Sequence, residues 1–190
     1  TGRSFDEDVA RLGALRAEVG PRITIRIDAN QGCTPAEARR LEAVVRELGL
    51  ELVEQPLPRG AEAELRALPV GLRRLVAADE SLHDEDDARS LAAPPPACGI
   101  FNIKLMKCGG PGPARGIARI AEAAGIELMW GCNDESVISI AAALHTAYAC
   151  PATRYLDLDG SFDLARDPAC GGFEVSDGRL VAAVEDTGIG

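Results

Sequence analysis

Lysine is nearly missing from this 190-residue chain: Lys104 and Lys107 stand against 18 arginines. Arginine keeps its proton at any working pH, whereas lysine can be tuned to give it up, so a lysine at the end of an apolar run calls for a chemical reason. Histidine is equally scarce, at His83 and His145 only, and the six cysteines at 33, 98, 108, 132, 150 and 170 contain no C-x-x-C pair. That pattern argues against a zinc cluster and for reduced cysteines used as small apolar residues. No apolar stretch approaches the roughly 20 residues that a bilayer crossing needs, and no signal-peptide pattern opens the chain. The cations form no concentrated patch, and a net charge of -10 with a pI near 4.7 excludes a phosphate-backbone partner such as nucleic acid. The expected compartment is the cytoplasm, and a homo-oligomer is left open.

What is present is a core and a rhythm. A hydrophobic content of 46% is enough for a sizeable interior in a chain of this length. Asp28, Glu54, Asp79 and Lys104 follow one another at 26, 25 and 25 positions, each closing a short apolar run. About 25 residues is the length of one strand, one helix and two loops, so the ladder reads as a βα repeat delivering one chemical group per repeat to a common rim. Ser4 with Glu7 predicts a helix start, carried by Val9, Leu12, Leu15 and Val19. Thr34, Pro35 and Glu37 predict another, with Leu41, Val44, Val45 and Leu48 as its buried stripe and Gly49 as its stop. Strands are expected at 23–28, 50–54, 75–79, 100–105, 127–130 and 154–157. Helices are expected near 61–68, 84–92, 113–124 and 137–149. Alternation of this kind makes a parallel sheet with right-handed crossovers, either most of a barrel or an open doubly wound sheet.

In a parallel barrel the carboxyl ends of the strands converge, which would gather Asp28, Glu54 and Asp79. Bare carboxylates about 4 Å apart repel by on the order of 4 kcal/mol per pair at an effective dielectric near 20, so the grouping calls for a cation. Three hard oxygen ligands favour Mg²⁺, with Mn²⁺ as a substitute. Lys104 then reads as a general base whose proton affinity a nearby cation lowers, and Lys107 as a solvated loop cation. The plainer alternative is that acidic residues after strands only cap helices.

Four segments carry a resemblance: D-A-N-Q-G at 28–32, V-E-Q-P at 53–56, A-D-E-S at 78–81 and N-I-K-L-M-K-C-G-G at 102–110. Together they resemble the enolase superfamily, in its muconate lactonizing subgroup, and most closely the dipeptide epimerases. The resemblance implies a (β/α)7β TIM-like barrel of which residues 1–190 are the C-terminal part, with about six βα strands present and the first strands and capping domain absent. It makes Asp28, Glu54 and Asp79 the Mg²⁺ ligands, Lys104 one of two acid/base lysines, and Asn30 and Asn102 supporting residues behind them. The second lysine, in a K-x-K motif, falls before Thr1, so these 190 residues alone are expected to be inactive.

L-D-L-D-G at 156–160 is similar to the D-x-D of dipeptide epimerases, which implies that Asp157 and Asp159 hold the α-ammonium group of a dipeptide. By composition alone it is an Asp-rich turn before Gly160. G-C-N-D-E-S at 131–136 resembles the family's G-C-M-x-E-S and adds Cys132 and Glu135 as substrate contacts, with Asn133 where methionine is common. The implied reaction is Mg²⁺-dependent epimerisation through an enolate. Muconate cycloisomerase and o-succinylbenzoate synthase or N-acylamino acid racemase activities are the alternatives, and neither explains D-x-D. A mandelate racemase-like histidine is absent from 127–136. A metal-binding barrel fragment without turnover is the reading from another class. Ala-Glu, hydrophobic and cationic dipeptides all stay open.

Overall fold

The computed structural model describes residues 4–182 and 187–189. The described chain divides into two compact units, one of residues 4–82 with 89–101 and the other of 83–88 with the residues from 102 onward. Six parallel strands are hydrogen-bonded in sequence order, β1 (Ile25–Asp28), β2 (Leu50–Glu54), β3 (Val76–Ala78), β4 (Ile100–Ile103), β5 (Glu127–Trp130) and β6 (Thr153–Leu156). β4 is divided between the units, pairing through Ile100 and Phe101 with β3 in the first. Residues β2, β3 and β4 are buried almost throughout, as expected of parallel strands covered on both faces.

In the first unit, α1 (Phe5–Val19) begins at Ser4, whose hydroxyl accepts from Glu7 N–H at 3.3 Å. None of its residues is fully buried, and Leu15, expected in the stripe, is 46% exposed. Arg16 holds its end, donating to the carbonyls of Gly20, Ile23, Leu48 and Gly49. A cavity of about 440 Å³ lies between Phe5, Val9 and Leu12 of α1 and Ile27 and Ala29. α2 (Pro35–Leu48) follows its sequence signals closely. Thr34 and Glu37 form the reciprocal capping box, Pro35 opens the first turn, and Gly49 closes it at φ 60°. Ala38, Leu41, Val44 and Val45 are its buried face. After β2 come α3 (Glu62–Arg66) and α4 (Val70–Arg73), two short helices where the sequence suggests one. α5 (Glu85–Ala92), which precedes β4, is divided between the units as β4 is.

In the second unit the strand expected at 100–105 stops at Ile103, and a one-turn helix, α6 (Leu105–Cys108), takes over. Gly109 at φ 89° and Gly110 at φ 115° end it and start α7 (Pro111–Ala124). Ala114, Ile117, Ala118 and Ala121 are the buried stripe of α7. α8 (Val137–Tyr148) is the most apolar helix, yet among the described residues no helix is long and apolar enough to cross a membrane. Trp130, fully buried, donates its indole N–H to Thr153 Oγ1 at 2.9 Å, and that hydroxyl donates to Ala147 O at 2.8 Å, which ties β5, β6 and α8 together. A hairpin beyond the expected strands, β7 (Phe173–Ser176) and β8 (Arg179–Ala182), turns at Asp177 (φ 49°) and Gly178 (φ 72°). Both central residues have the positive φ that tight two-residue hairpins require.

Candidate active site

The first unit presents a row of strand-end carboxylates. Asp28 and Glu54 are direct partners in the β1–β2 register, and Glu54 pairs with Ala77. Asp79 lies two residues beyond Ala77, so by the period of two it falls on the same face. Glu54 is 7% and Asp79 6% exposed. The turn after β1 folds back on Asp28: Asn30, at φ 45°, donates its backbone N–H to Asp28 Oδ1 at 2.8 Å. Asn30 therefore supports Asp28 through its main chain, in the manner of an Asx turn.

Behind this row sits Gln55, which the sequence marks only as a member of V-E-Q-P. It is 1% exposed with φ at 32°. Its amide is fully used: Nε2 donates to Leu57 O (2.7 Å) and Ser81 Oγ (2.8 Å), while Oε1 accepts from Asp79 N (2.9 Å) and Ser81 N (3.1 Å). One side chain thus fixes the backbone that carries Asp79. Gln31 adds a second stitch, donating to Glu80 Oε1 at 3.1 Å and accepting from Arg59 N–H at 3.1 Å.

In the second unit Lys104 stays extended (φ -121°, ψ 128°) just past β4, although the strand itself has ended. Gly131, at the end of β5, makes room for it. A Cβ there would lie 2.5 Å from Asn102 Oδ1 and 3.0 Å from Lys104 Cε. Gly131 N–H donates to Ile103 O at 3.0 Å, so the close approach is built into the parallel pairing. Asn102 and Lys104 therefore share the Gly131 side, as alternation predicts. Lys107 departs from expectation: it is half-buried, and its Nζ donates to Asn102 O at 3.0 Å because the turn of α6 folds it back over β4.

Cys132, Asp157 and Asp159 come together. Cys132 Sγ donates to Asp157 O at 3.3 Å and lies 3.8 Å from Asp159 Oδ1. Burial, reinforced by the two aspartates and only partly offset by a hydrogen bond from the Gly160 backbone, pushes its thiol up to about 11, so it stays protonated at neutral pH. Leu158 is buried between the two exposed aspartates. Glu135 is 4% exposed, accepting from Asn133 N–H at 2.9 Å and from the Ser139 hydroxyl. Those bonds tie it to its own loop and to α8. Asp167, which no local signal in the sequence marks, caps α8 from 30 residues away. It accepts from Val137 N–H and Ser136 Oγ, both at 2.7 Å, and these bonds, the Val137 one foremost, hold its carboxyl below the usual range.

Among the described residues no three His, Cys, Asp or Glu side chains stand clustered tightly enough to hold a metal as they are. The row from Asp28 to Asp79 is brought together by backbone register, and like charges have no reason to converge without a cation between them. Its chemistry nevertheless fits Mg²⁺. The donors are all hard oxygens, two are withdrawn from water, the Asp28 carboxylate is held by Asn30 N–H, and the backbone of Asp79 is pinned by Gln55.

All 190 residues match the family model described as "Enolase C-terminal domain-like". The chain is similar to an L-Lys-D/L-Arg epimerase of Methylococcus capsulatus, at 61% identity over 97% of this chain and 52% of that protein. It is also similar to an L-Lys-D/L-Arg epimerase of Desulforapulum autotrophicum, at 47% identity over 95% of this chain and 51% of that protein. A crystal structure of the dipeptide epimerase from Methylococcus capsulatus complexed with Mg and the dipeptide L-Arg-D-Lys superposes with a TM-score of 0.90 and 62% identity, covering 93% of this chain and 50% of that one. The chain spans about half the length of the curated relatives it matches. Six parallel βα strands and a match along the whole length agree, and the chain belongs to the enolase C-terminal domain-like family.

Proposed function

We propose that the polypeptide carrying this chain is a Mg²⁺-dependent dipeptide epimerase acting on dipeptides with cationic side chains. The observation that carries the reading is the likeness of 93% of the chain, at 62% identity, to an enzyme seen with Mg and L-Arg-D-Lys. The L-Lys-D/L-Arg names of two relatives point to the cationic class, and the net charge of -10 is of the sign that attracts such substrates.

Asp28, Glu54 and Asp79 would hold Mg²⁺, or Mn²⁺ in its place. When bound, the ion supplies Lewis-acid stabilisation of the negative charge that develops on the substrate carboxylate as the neighbouring C–H bond breaks. Lys104 in its neutral form takes the proton α to that carboxylate, leaving an enolate, and in its ammonium form gives one back. Inversion requires a second acid/base group on the opposite face, the second lysine that the resemblance implies. Asp157 and Asp159 hold the α-ammonium group, two exposed anions for one cation. Asn102 helps to set Lys104, while Glu135 and Cys132 set the loop beside the aspartates.

The test is a dipeptide screen of the full-length protein with MgCl₂ in deuterated water, read by mass spectrometry. Cationic dipeptides should gain one deuteron at the C-terminal α-carbon as they epimerise, and Lys104→Ala should lower the rate by at least about 100-fold. No exchange with any dipeptide would remove the reading. Exchange confined to N-acylated amino acids would favour the racemase alternative.

A further inference from the structure

The loop after β5 and the loop after β6 are interlocked more tightly than strand pairing requires. Asp157 N–H donates to Trp130 O at 2.8 Å, the last rung of the ladder. Beyond that rung the contact continues through a side chain. Cys132 Sγ–H reaches Asp157 O at 3.3 Å, and the same sulfur accepts from Gly160 N–H at 3.3 Å. One thiol therefore bridges both ends of the segment 157–160. Gly160 completes the closure, because a Cβ there would collide with Asn133 O and lie 3.1 Å from Cys132 Sγ.

We infer that Cys132 is a positioning residue for amine recognition: its thiol clasps the Asp157–Gly160 turn and fixes the spacing at which Asp157 and Asp159 meet the α-ammonium group. The inference rests on the dipeptide reading and deepens it. In this role Cys132 acts through the aspartates. A thiol suits the post because it can be weak donor and weak acceptor at once. It is also a neutral group there, so it adds no third negative charge beside Asp157 and Asp159. Leu158, 4% exposed, anchors the middle of the turn, which leaves the two ends as the parts a clasp can set.

The test uses the full-length protein with Mg²⁺ and compares L-Lys-L-Arg with its Nα-acetyl derivative, which lacks the α-ammonium charge. Cys132→Ala should weaken binding of the free-amine peptide about five- to tenfold and raise its KM with kcat held, while binding of the acetylated peptide and of Mg²⁺ stays as in wild type. Cys132→Ser, which keeps a donor and an acceptor, should restore most of the preference for the free amine. Cys132→Val, which fills the space without either, should behave like alanine, so the serine and valine pair decides the matter even where alanine fails to fold. Equal weakening of both peptides, or an unchanged preference in the valine variant, would overturn the inference. A wild-type protein that binds neither peptide would instead overturn the dipeptide reading on which it stands.

Discussion

Replacing Gln55 by leucine is the sharpest probe of how the carboxylate row is held. The side chain is 1% exposed, and leucine fills nearly the same volume, so packing changes little and the four hydrogen bonds are what is lost. Ser81 Oγ can rotate toward another partner. The N–H groups of Asp79 and Ser81 cannot, because both point into the space Gln55 Oε1 vacates. Two buried donors without acceptors cost roughly 1–3 kcal/mol each, about 4 kcal/mol together. At about 2–4 °C per kcal/mol for a chain of this length, the melting temperature should fall by about 8–16 °C. Loss of the group orienting a metal ligand typically weakens metal binding by about 10–100-fold, so Mg²⁺ affinity should fall in that range. Gln55→Glu keeps the acceptor but loses both donations and adds a buried charge beside Glu54 and Asp79, and should be at least as damaging. Calorimetric unfolding with and without Mg²⁺, together with isothermal titration, reads both effects. A melting temperature within about 2 °C of wild type and unchanged Mg²⁺ affinity would refute the argument.

Gly131→Ala should cut kcat by tenfold or more (about 10–100-fold) with little loss of Mg²⁺ affinity, since the new Cβ displaces Asn102 and Lys104 rather than the carboxylates; steady-state kinetics beside titration calorimetry decides it. Asp167→Asn should destabilise the protein at neutral pH, and the difference should vanish in acid. The folded carboxyl titrates below its unfolded value near 3.9, so its contribution is present above about pH 4 and lost as pH falls through the lower folded value, which a series of melting curves from pH 7 to 3 would show. Alkylation of the native protein followed by peptide mass mapping should label exposed Cys170 first. Buried Cys98, its thiol pushed to about 12 by desolvation, should stay unlabelled until the chain unfolds.

The sequence shows what is local. Thr34, Pro35, Glu37 and Gly49 act within one helix, and their signature is realised to the last cap. The spacing of Asp28, Glu54 and Asp79 is the length of a βα unit, so strand register follows from it. Lys104 shares the side of Asn102 because alternation survives one residue beyond the strand, even though α6 takes over at Leu105, the last residue expected to be extended. What was hidden depends on partners distant in the chain. Gln55 reaches 26 residues ahead to Ser81, Asp167 reaches back 30 to α8, and no pattern in one segment encodes either contact. The β7–β8 hairpin is a different case, since Asp177-Gly178 between Val175 and Leu180 is a turn signal legible in the sequence. Lys107 reads as a loop cation in the sequence because a loop lysine and one folded back by a helical turn share the same local pattern.

As proposed, Asp28, Glu54 and Asp79 together bind one divalent cation. Titration of MgCl₂ into the full-length protein tests it most directly, with Asp28→Asn, Glu54→Gln and Asp79→Asn alongside. One Mg²⁺ per chain is expected for the wild-type protein, with a loss of at least about tenfold in affinity for every one of the three variants. Wild-type affinity in any of them, or no binding at all, would contradict it.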